Sequence, residues 1–314
     1  MGRKVLITGG AGFVGSHVVD AHLAAGDDVT VLDDLSTGRR ENIPAGVRFV
    51  HADVRSPEAR ELVARGGFVL LNHHAAQMDV RRSVADPLFD AGVNLVGLLN
   101  LLEGARAGGL RRVVFASSGG VVYGERGPFP LLETAAKLPV SPYGAAKLAS
   151  EYYLATYAHL FGLETVALRY SNVYGPRQRG DGEAGVVAIF GRRLLKGEAL
   201  TIFGDGEQTR DLVYVTDVAE ANVAASRRPL APLDGIDAHA FNVGTAVETS
   251  VNRLAELMGA AAGRAPQVAH AAARAGELPR SVLTVDKAAR ELGWRPRTAL
   301  ADGLRATLRF LAED

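Results

Sequence analysis

The 314-residue chain contains no cysteine. That excludes a disulfide scaffold, a thiolate zinc site and a cysteine nucleophile, and it suits a reducing compartment. No charge of either sign is in excess: Lys+Arg and Asp+Glu are both 35, and the formal net charge is zero. Without a basic field, neither nucleic acid nor an anionic membrane surface is an expected partner. Long apolar runs are missing too. The N-terminal "MGRKVLITGGAGFVGSHVV" opens basic and turns apolar, but glycines, Thr8 and His17 interrupt it. Neither a signal peptide nor a membrane span is expected, so the reading is a soluble, cytoplasmic protein. Lysine is the scarcest charge, with five residues against thirty arginines. Histidines are few, and the adjacent pair His73–His74 points to opposite sides of a strand with no third ligand at suitable spacing. No catalytic metal is expected.

What is present reads as a packed α/β protein, with 47% apolar and 22% charged residues. Nearly all-apolar runs at 4–10, 28–34, 47–54, 68–76, 111–118 and 164–175 predict strands. Helical patterns at 12–26, 86–109 and 143–160 alternate with them. Strands without polar alternation, separated by helices, imply a parallel sheet covered on both faces. The predicted fold is a doubly wound (Rossmann) sheet. After residue 175 the texture becomes polar and glycine-rich, with a helix near 185–197 and a short strand in "ALTIFGDG". The stretch "RDLVYVTDVAEANVAAS" reads as a return to the main sheet. The division expected is therefore 1–171 plus about 211–247 for a nucleotide-binding part, and about 172–210 plus 248–314 for a smaller, discontinuous one.

"TGGAGFVG" places Gly9, Gly12 and Gly15 between the first strand and the first helix. Small residues there let the backbone approach a pyrophosphate, whose charge favours the helix N-terminus. Eighteen residues past Gly15, the second strand ends at Asp33 with Asp34 beside it. A carboxylate at this place accepts ribose hydroxyls and repels a 2′-phosphate, which favours NAD over NADP. Arg39 and Arg40 follow and read as solvated surface charges. Asp53, where the third strand ends, either approaches the adenine or caps the next helix.

"SPYGAAK" puts Tyr143 and Lys147 four positions apart, on one face of a helix. A compact ammonium on a flexible stem can approach a phenol in a way that a planar guanidinium cannot. In an arginine-rich chain, a lysine at 147 is a pointed choice.

The chain resembles the extended short-chain dehydrogenase/reductase family, in its sugar-nucleotide epimerase/dehydratase branch, with bacterial UDP-glucose 4-epimerases as the nearest group. The resemblance rests on "TGGAGFVG", "HHAAQ" (73–77), "VNLVGLLNLLEGAR" (93–106), "FASSGGVVYG" (115–124), "SPYGAAK", "RYSNVYGPRQ" (169–178) and "GDGEQTRDLVYVTDVA" (204–219). It implies a tightly bound NAD, regenerated each cycle, and C4 epimerisation of a UDP-hexose through a transient 4-keto sugar. Tyr143 would be the acid/base, Lys147 its helper and Ser118 the third catalytic member, with Ser117 as fallback. Phe13, Val14, Val54, Ala75, Ala76, Gln77 and Asn94 would join the glycines, Asp33, Asp34, Asp53, Tyr143 and Lys147 around the cofactor. Asn172, Arg210 and Arg274 would contact the diphosphate, Glu277 the uridine ribose and Phe203 the base. Ser281 would stand beside the sugar's C2 substituent, where a small residue leaves room for an N-acetyl group. Dehydratases of the branch carry an acid where this chain has Gly120 and Val121, which favours epimerisation over loss of water. Another NAD-dependent nucleotide-sugar oxidoreductase or dehydratase, or a non-catalytic NAD sensor, is the alternative. The branch also pairs helices like 86–107 and 143–160 in a two-fold homodimer, though the first helix, rich in leucine, can instead be buried within one chain.

Overall fold

The computed structural model describes residues 2–124, 127–180, 185–273 and 278–313. Six strands come first: β1 (Lys4–Thr8), β2 (Asp28–Asp33), β3 (Arg48–His51), β4 (Leu70–His73), β5 (Arg112–Ser118) and β6 (Glu164–Tyr170). Six more follow: β7 (Asn172–Tyr174), β8 (Leu200–Phe203), β9 (Thr209–Tyr214), β10 (Ala240–Val243), β11 (Glu248–Ser250) and β12 (Val268–Ala271). The main sheet runs β10-β6-β5-β4-β1-β2-β3, every pair parallel. Its strands are apolar on both sides because both sides are covered. Val5 and Ile7 enter the core beneath helix Phe13–Ala24, while Leu6 enters the opposite one with Leu98, Leu101 and Leu102.

The chain winds outward from β1 through β3 and then returns to the other side of β1 for β4. That reversal opens a crevice at the C-terminal strand ends, where ligands of such sheets bind. The ends of β1, β4 and β5 deliver Thr8, His73 and Ser118 to it.

Helix Pro87–Gly108 has the length and composition of a membrane span, with mean hydropathy 1.2. Its buried leucines lie against the main sheet, so in this fold it is a core helix. It is not regular: Gly92–Val96 forms a π turn that the hydrophobic pattern does not announce.

Two readings are corrected. The run 164–175 is two strands, because Ser171 bonds Val243 and Asn172 then pairs with Leu212 in a separate sheet of order β11-β9-β7. Within "RDLVYVTDVAEANVAAS", the strand β9 belongs to that small sheet. Only the following helix, Val215–Ala225, packs back on helix Phe13–Ala24, and β10 is the strand that rejoins the main sheet. A separate core around Phe190, Leu254, Met258, Leu304 and Leu308 joins helices Val186–Lys196, Val251–Ala261 and Leu300–Glu313.

Candidate active site

The glycine loop is built by close approach. Gly9 has φ +69°, and a Cβ there would stand 2.5 Å from the Ala75 nitrogen. A Cβ on Gly15 would meet the Gly9 carbonyl oxygen at 2.1 Å, backbone against backbone. Gly12, the N-cap of helix Phe13–Ala24, offers no capping side chain. The first-turn amides of Phe13, Val14 and Gly15 therefore face an uncapped, electropositive helix end. Asp33, buried at the end of β2, accepts Ala11 N at 2.9 Å and Leu35 N at 2.8 Å, one on each carboxylate oxygen. Burial raises its carboxyl above the ordinary value, against those two bonds. Asp34 turns outward and accepts the Ser36 amide and hydroxyl. Arg40 is not simply solvated, for its guanidinium lies 5.0 Å over the Phe49 ring.

Asp53 neither caps the next helix, which Ser56 does, nor is left open: it pairs with Arg55 at 2.5 Å. Val54 is buried, and its carbonyl accepts Asn100 Nδ2 at 2.8 Å. Ala75 and Ala76 are half-buried beyond β4, and the Ala75 amide reaches Thr8 Oγ1 at 3.4 Å. Gln77 and Asn94 clasp each other: Gln77 N donates to Asn94 Oδ1 at 3.0 Å, and Asn94 Nδ2 to Gln77 O at 2.9 Å. A residue with no assigned role, Asp90, completes the clasp through Oδ1, bonded by Gln77 Nε2 at 3.0 Å and Asn94 Nδ2 at 2.9 Å. Its position one turn before Asn94 was the only signal of it in the sequence.

Helix Pro142–Phe161 begins with Ser141 accepting the Gly144 amide at 3.1 Å and Pro142 in its first turn. Gly144 is needed because a Cβ there would stand 2.6 Å from the Val121 carbonyl. This close seat brings Tyr143 against the loop that follows Ser118. Lys147 is 3% exposed, with Nζ 5.7 Å from the Tyr143 ring centroid, 4.6 Å from that of Phe115, and donating to Ala116 O at 2.8 Å. Burial lowers its pKa to about 8, opposed by the charges of Asp90 and Glu151. The Tyr143 phenol is raised by burial, with Asp90 adding to the rise. Desolvation sets the direction of that shift.

Adjacent serines on β5 part ways, as alternation requires. Ser117 is buried and donates to Glu151 Oε1 at 2.5 Å, and Glu151 in turn holds the fully buried Arg169 at 2.6 Å. Ser118 is half-buried, and its hydroxyl caps no helix amide. Of the two, Ser118 has the hydroxyl with no hydrogen-bond partner among the described residues.

On the other side of the crevice, Ser281 is buried, and its Oγ lies 3.7 Å from where a Gly120 Cβ would be. Its carbonyl accepts the Asp211 amide at 2.9 Å, which ties it to β9. Asn172 is exposed at the start of β7, and Phe203 half-buried at the end of β8. Arg210 donates to the carbonyls of Thr209 and Leu278, both at 2.8 Å. Arg274 and Glu277 lie outside the described residues.

His73 is a core residue bonded to Thr8 Oγ1 at 2.6 Å and stacked on Phe115, whereas His74 stacks on Tyr170 and bonds Asn72. Burial lowers both to about 3, so they are neutral imidazoles. Among the described residues no group of three acids or histidines is arranged to hold a metal ion.

A profile of the NAD dependent epimerase/dehydratase family matches residues 5–244. The chain is 45% identical over 312 residues to the UDP-glucose 4-epimerase of Mycolicibacterium smegmatis, covering 98% of each. It superposes with TM-score 0.94 on the UDP-glucose 4-epimerase of Thermotoga maritima, solved with UDP-glucose, at 42% identity over 99% of both chains. It superposes with TM-score 0.89 on that of Thermus thermophilus, solved with NAD, at 46% identity over 98% of both.

Proposed function

This chain belongs to the NAD dependent epimerase/dehydratase family, and from that premise we propose that it is a nucleotide-sugar epimerase that inverts C4 of a UDP-hexose. The observation that carries the reading is Tyr143 and Lys147 stacked one turn apart against the loop after Ser118, at the strand ends where the sheet order reverses. The residues present fit NAD: a close-packed turn with glycines at 9, 12 and 15 under open helix amides suits a pyrophosphate, and Asp33 has lone pairs left for ribose hydroxyls. When bound, NAD supplies reversible oxidation of a carbinol carbon and, in its oxidised form, a positive ring beside the phenol.

The rest is the protein's own chemistry. Tyr143 takes the O4 proton and later returns it, Lys147 stabilises the phenolate, and Ser118 shares the proton through its hydroxyl. A 4-keto sugar that turns over in the crevice before it is reduced emerges with C4 inverted. Gly120 and Val121 offer no acid to take a C5 proton, so epimerisation is favoured over loss of water. Asn172, Arg210 and Phe203 serve the UDP half, with Arg274 and Glu277 assigned to it by family resemblance. Ser281, small and facing a glycine, leaves room for a C2 N-acetyl group.

We assign the exposed apolar side chains of helices Pro87–Gly108 and Pro142–Phe161 to a two-fold homodimer. Leu88 is 85% exposed, with Val96, Tyr152, Leu160 and Phe161 also outward, and such side chains in soluble proteins mark contact surfaces. The reading places the protein in the cytoplasm, where nucleotide sugars are substrates.

Incubating purified protein with a panel of UDP-sugars, without added NAD, and reading C4 configuration by NMR tests the proposal. Interconversion of UDP-glucose and UDP-galactose is expected. Turnover that starts only when NAD is supplied and consumes it stoichiometrically, or loss of water from the sugar, would overturn it.

A further inference from the structure

Asp90 is 1% exposed on helix Pro87–Gly108, immediately before the π turn. Gln77 and Asn94 both donate to its Oδ1, while Oδ2 is buried with no hydrogen-bond partner among the described residues. A buried carboxylate answered only by neutral amides is unfavourable unless a cation lies in reach of its field. The cation is Lys147: its helix packs on the turn that carries Asp90, where Ser150, one turn past Lys147, donates to the Asn94 carbonyl at 3.4 Å. Asp90 opposes the effect of burial on Lys147 more than Glu151 does; burial raises the Asp90 carboxyl, against the bonds from Gln77 and Asn94 and then the charge of Lys147.

Among the described residues, the other negative group facing Lys147 is shared with a second cation. Glu151, on the same helix, is engaged by Arg169 through three contacts of 2.6–3.1 Å. His73 and His74 from β4 and beyond are held neutral by burial, and Tyr143 is a protonated phenol. We propose that Asp90 is a positioning residue: locked by Gln77 and Asn94, its carboxylate is the counter-charge that keeps Lys147 an ammonium beside Tyr143. The same lock fixes the Gln77 loop at the crevice, so one buried acid sets both the geometry and the charge of the site. This rests on the reading that Lys147 assists Tyr143.

The scarcity of lysine makes the test direct. Protein labelled with [13Cε]lysine gives five side-chain signals, and that of Lys147 is the one removed by Lys147→Arg. Its titration midpoint is about 8. Asp90→Asn keeps the size and the Oδ1 acceptor but not the charge, and is expected to lower that midpoint by roughly one unit or more. Asp90→Glu is expected to restore it in part. Turnover should show the same displacement: the alkaline limb of the pH profile moves down, and activity returns as the pH is lowered. An unmoved Lys147 midpoint, with turnover reduced by one factor at every pH, makes Asp90 a packing residue and overturns the proposal. If Asp90→Asn does not fold, Asp90→Ser carries the same titration. Turnover by Tyr143→Phe would sink the catalytic reading alone, since the NMR midpoint decides the Asp90–Lys147 pairing without any turnover.

Discussion

Replacing Lys147 with methionine is expected to make the protein more stable and inactive. The ammonium is 3% exposed and titrates at about 8 in the fold, against 10.5 for an ordinary lysine. At about 1.4 kcal/mol per pKa unit, holding that charge at pH 7 costs about 3 kcal/mol relative to the unfolded chain. The help of Asp90 and Glu151 is already contained in the pKa. Methionine has similar length and no charge, but forfeits the bond to the Ala116 carbonyl, about 1 kcal/mol. The net gain is about 2 kcal/mol, or about 4 °C in melting temperature for a chain of this size. The sign with pH follows from the direction of the shift. The folded pKa lies below the unfolded one, so above about pH 8 the unfolded chain binds more protons and wild-type stability rises. Above about pH 10 the buried tyrosines, raised in the fold, reverse that slope. Activity, which needs the ammonium, falls through the window in which stability climbs. Chemical denaturation from about pH 6 to about pH 10, run beside turnover, measures both. A methionine variant less stable than wild type at pH 7, or one that keeps the wild-type slope between pH 8 and 10, would refute the reasoning.

Ser118→Ala should lower kcat by about a hundredfold or more. Ser117→Ala should leave kcat nearly unchanged while losing about 1–2 kcal/mol in urea unfolding, because it breaks a buried bond to the Glu151 carboxylate. Ser281→Tyr places a ring against Gly120 and should cut turnover of UDP-GlcNAc at least tenfold relative to UDP-glucose. An unchanged ratio in competition assays removes Ser281 from the specificity argument. Leu88→Arg with Phe161→Arg should move the protein from dimer to monomer in sedimentation velocity, since both side chains reach the surface of one chain.

The parts of the fold that were legible in the sequence are those governed by local pattern. Val5, Leu6 and Ile7 read as a strand because all three are apolar, and they are so because the strand is covered twice. Gly9, Gly12 and Gly15 read as a cradle because a strand precedes them and a helix follows. What escaped depends on contacts far apart in the chain. Nothing within 164–175 tells that Ser171 will bond Val243 and turn the next three residues into another sheet. The π turn at Gly92–Val96 escaped likewise, because the leucine pattern on either side continues through it. Asp90 is not legible in the sequence because an acid in a helix ordinarily faces water, and only the tertiary placement of Gln77 and Lys147 reveals otherwise. The Tyr143–Lys147 pair was visible from spacing alone, but the sign of the phenol's shift was not, because burial is a property of the whole fold.

Two buried charge clusters meet at helix Pro142–Phe161, and they differ in completeness. Arg169 is answered on every side: by Glu151, by Asp237, by the Tyr123 hydroxyl and by the Glu133 carbonyl. A cluster closed in this way holds β5 and β6 in one arrangement, and with them the strand end that carries Ser118. Lys147 and Asp90 form the opposite case: among the described residues the cation is bonded to one carbonyl and the anion has one oxygen unanswered. Stability alone would have replaced both with apolar residues. Their presence makes sense if the site must carry unspent charge beside a phenol that changes protonation during reaction. The rigid cluster then fixes where the chemistry happens, and the unfinished one keeps it possible, so the two should separate by experiment: damage to the first lowers stability at every pH, and damage to the second moves a titration.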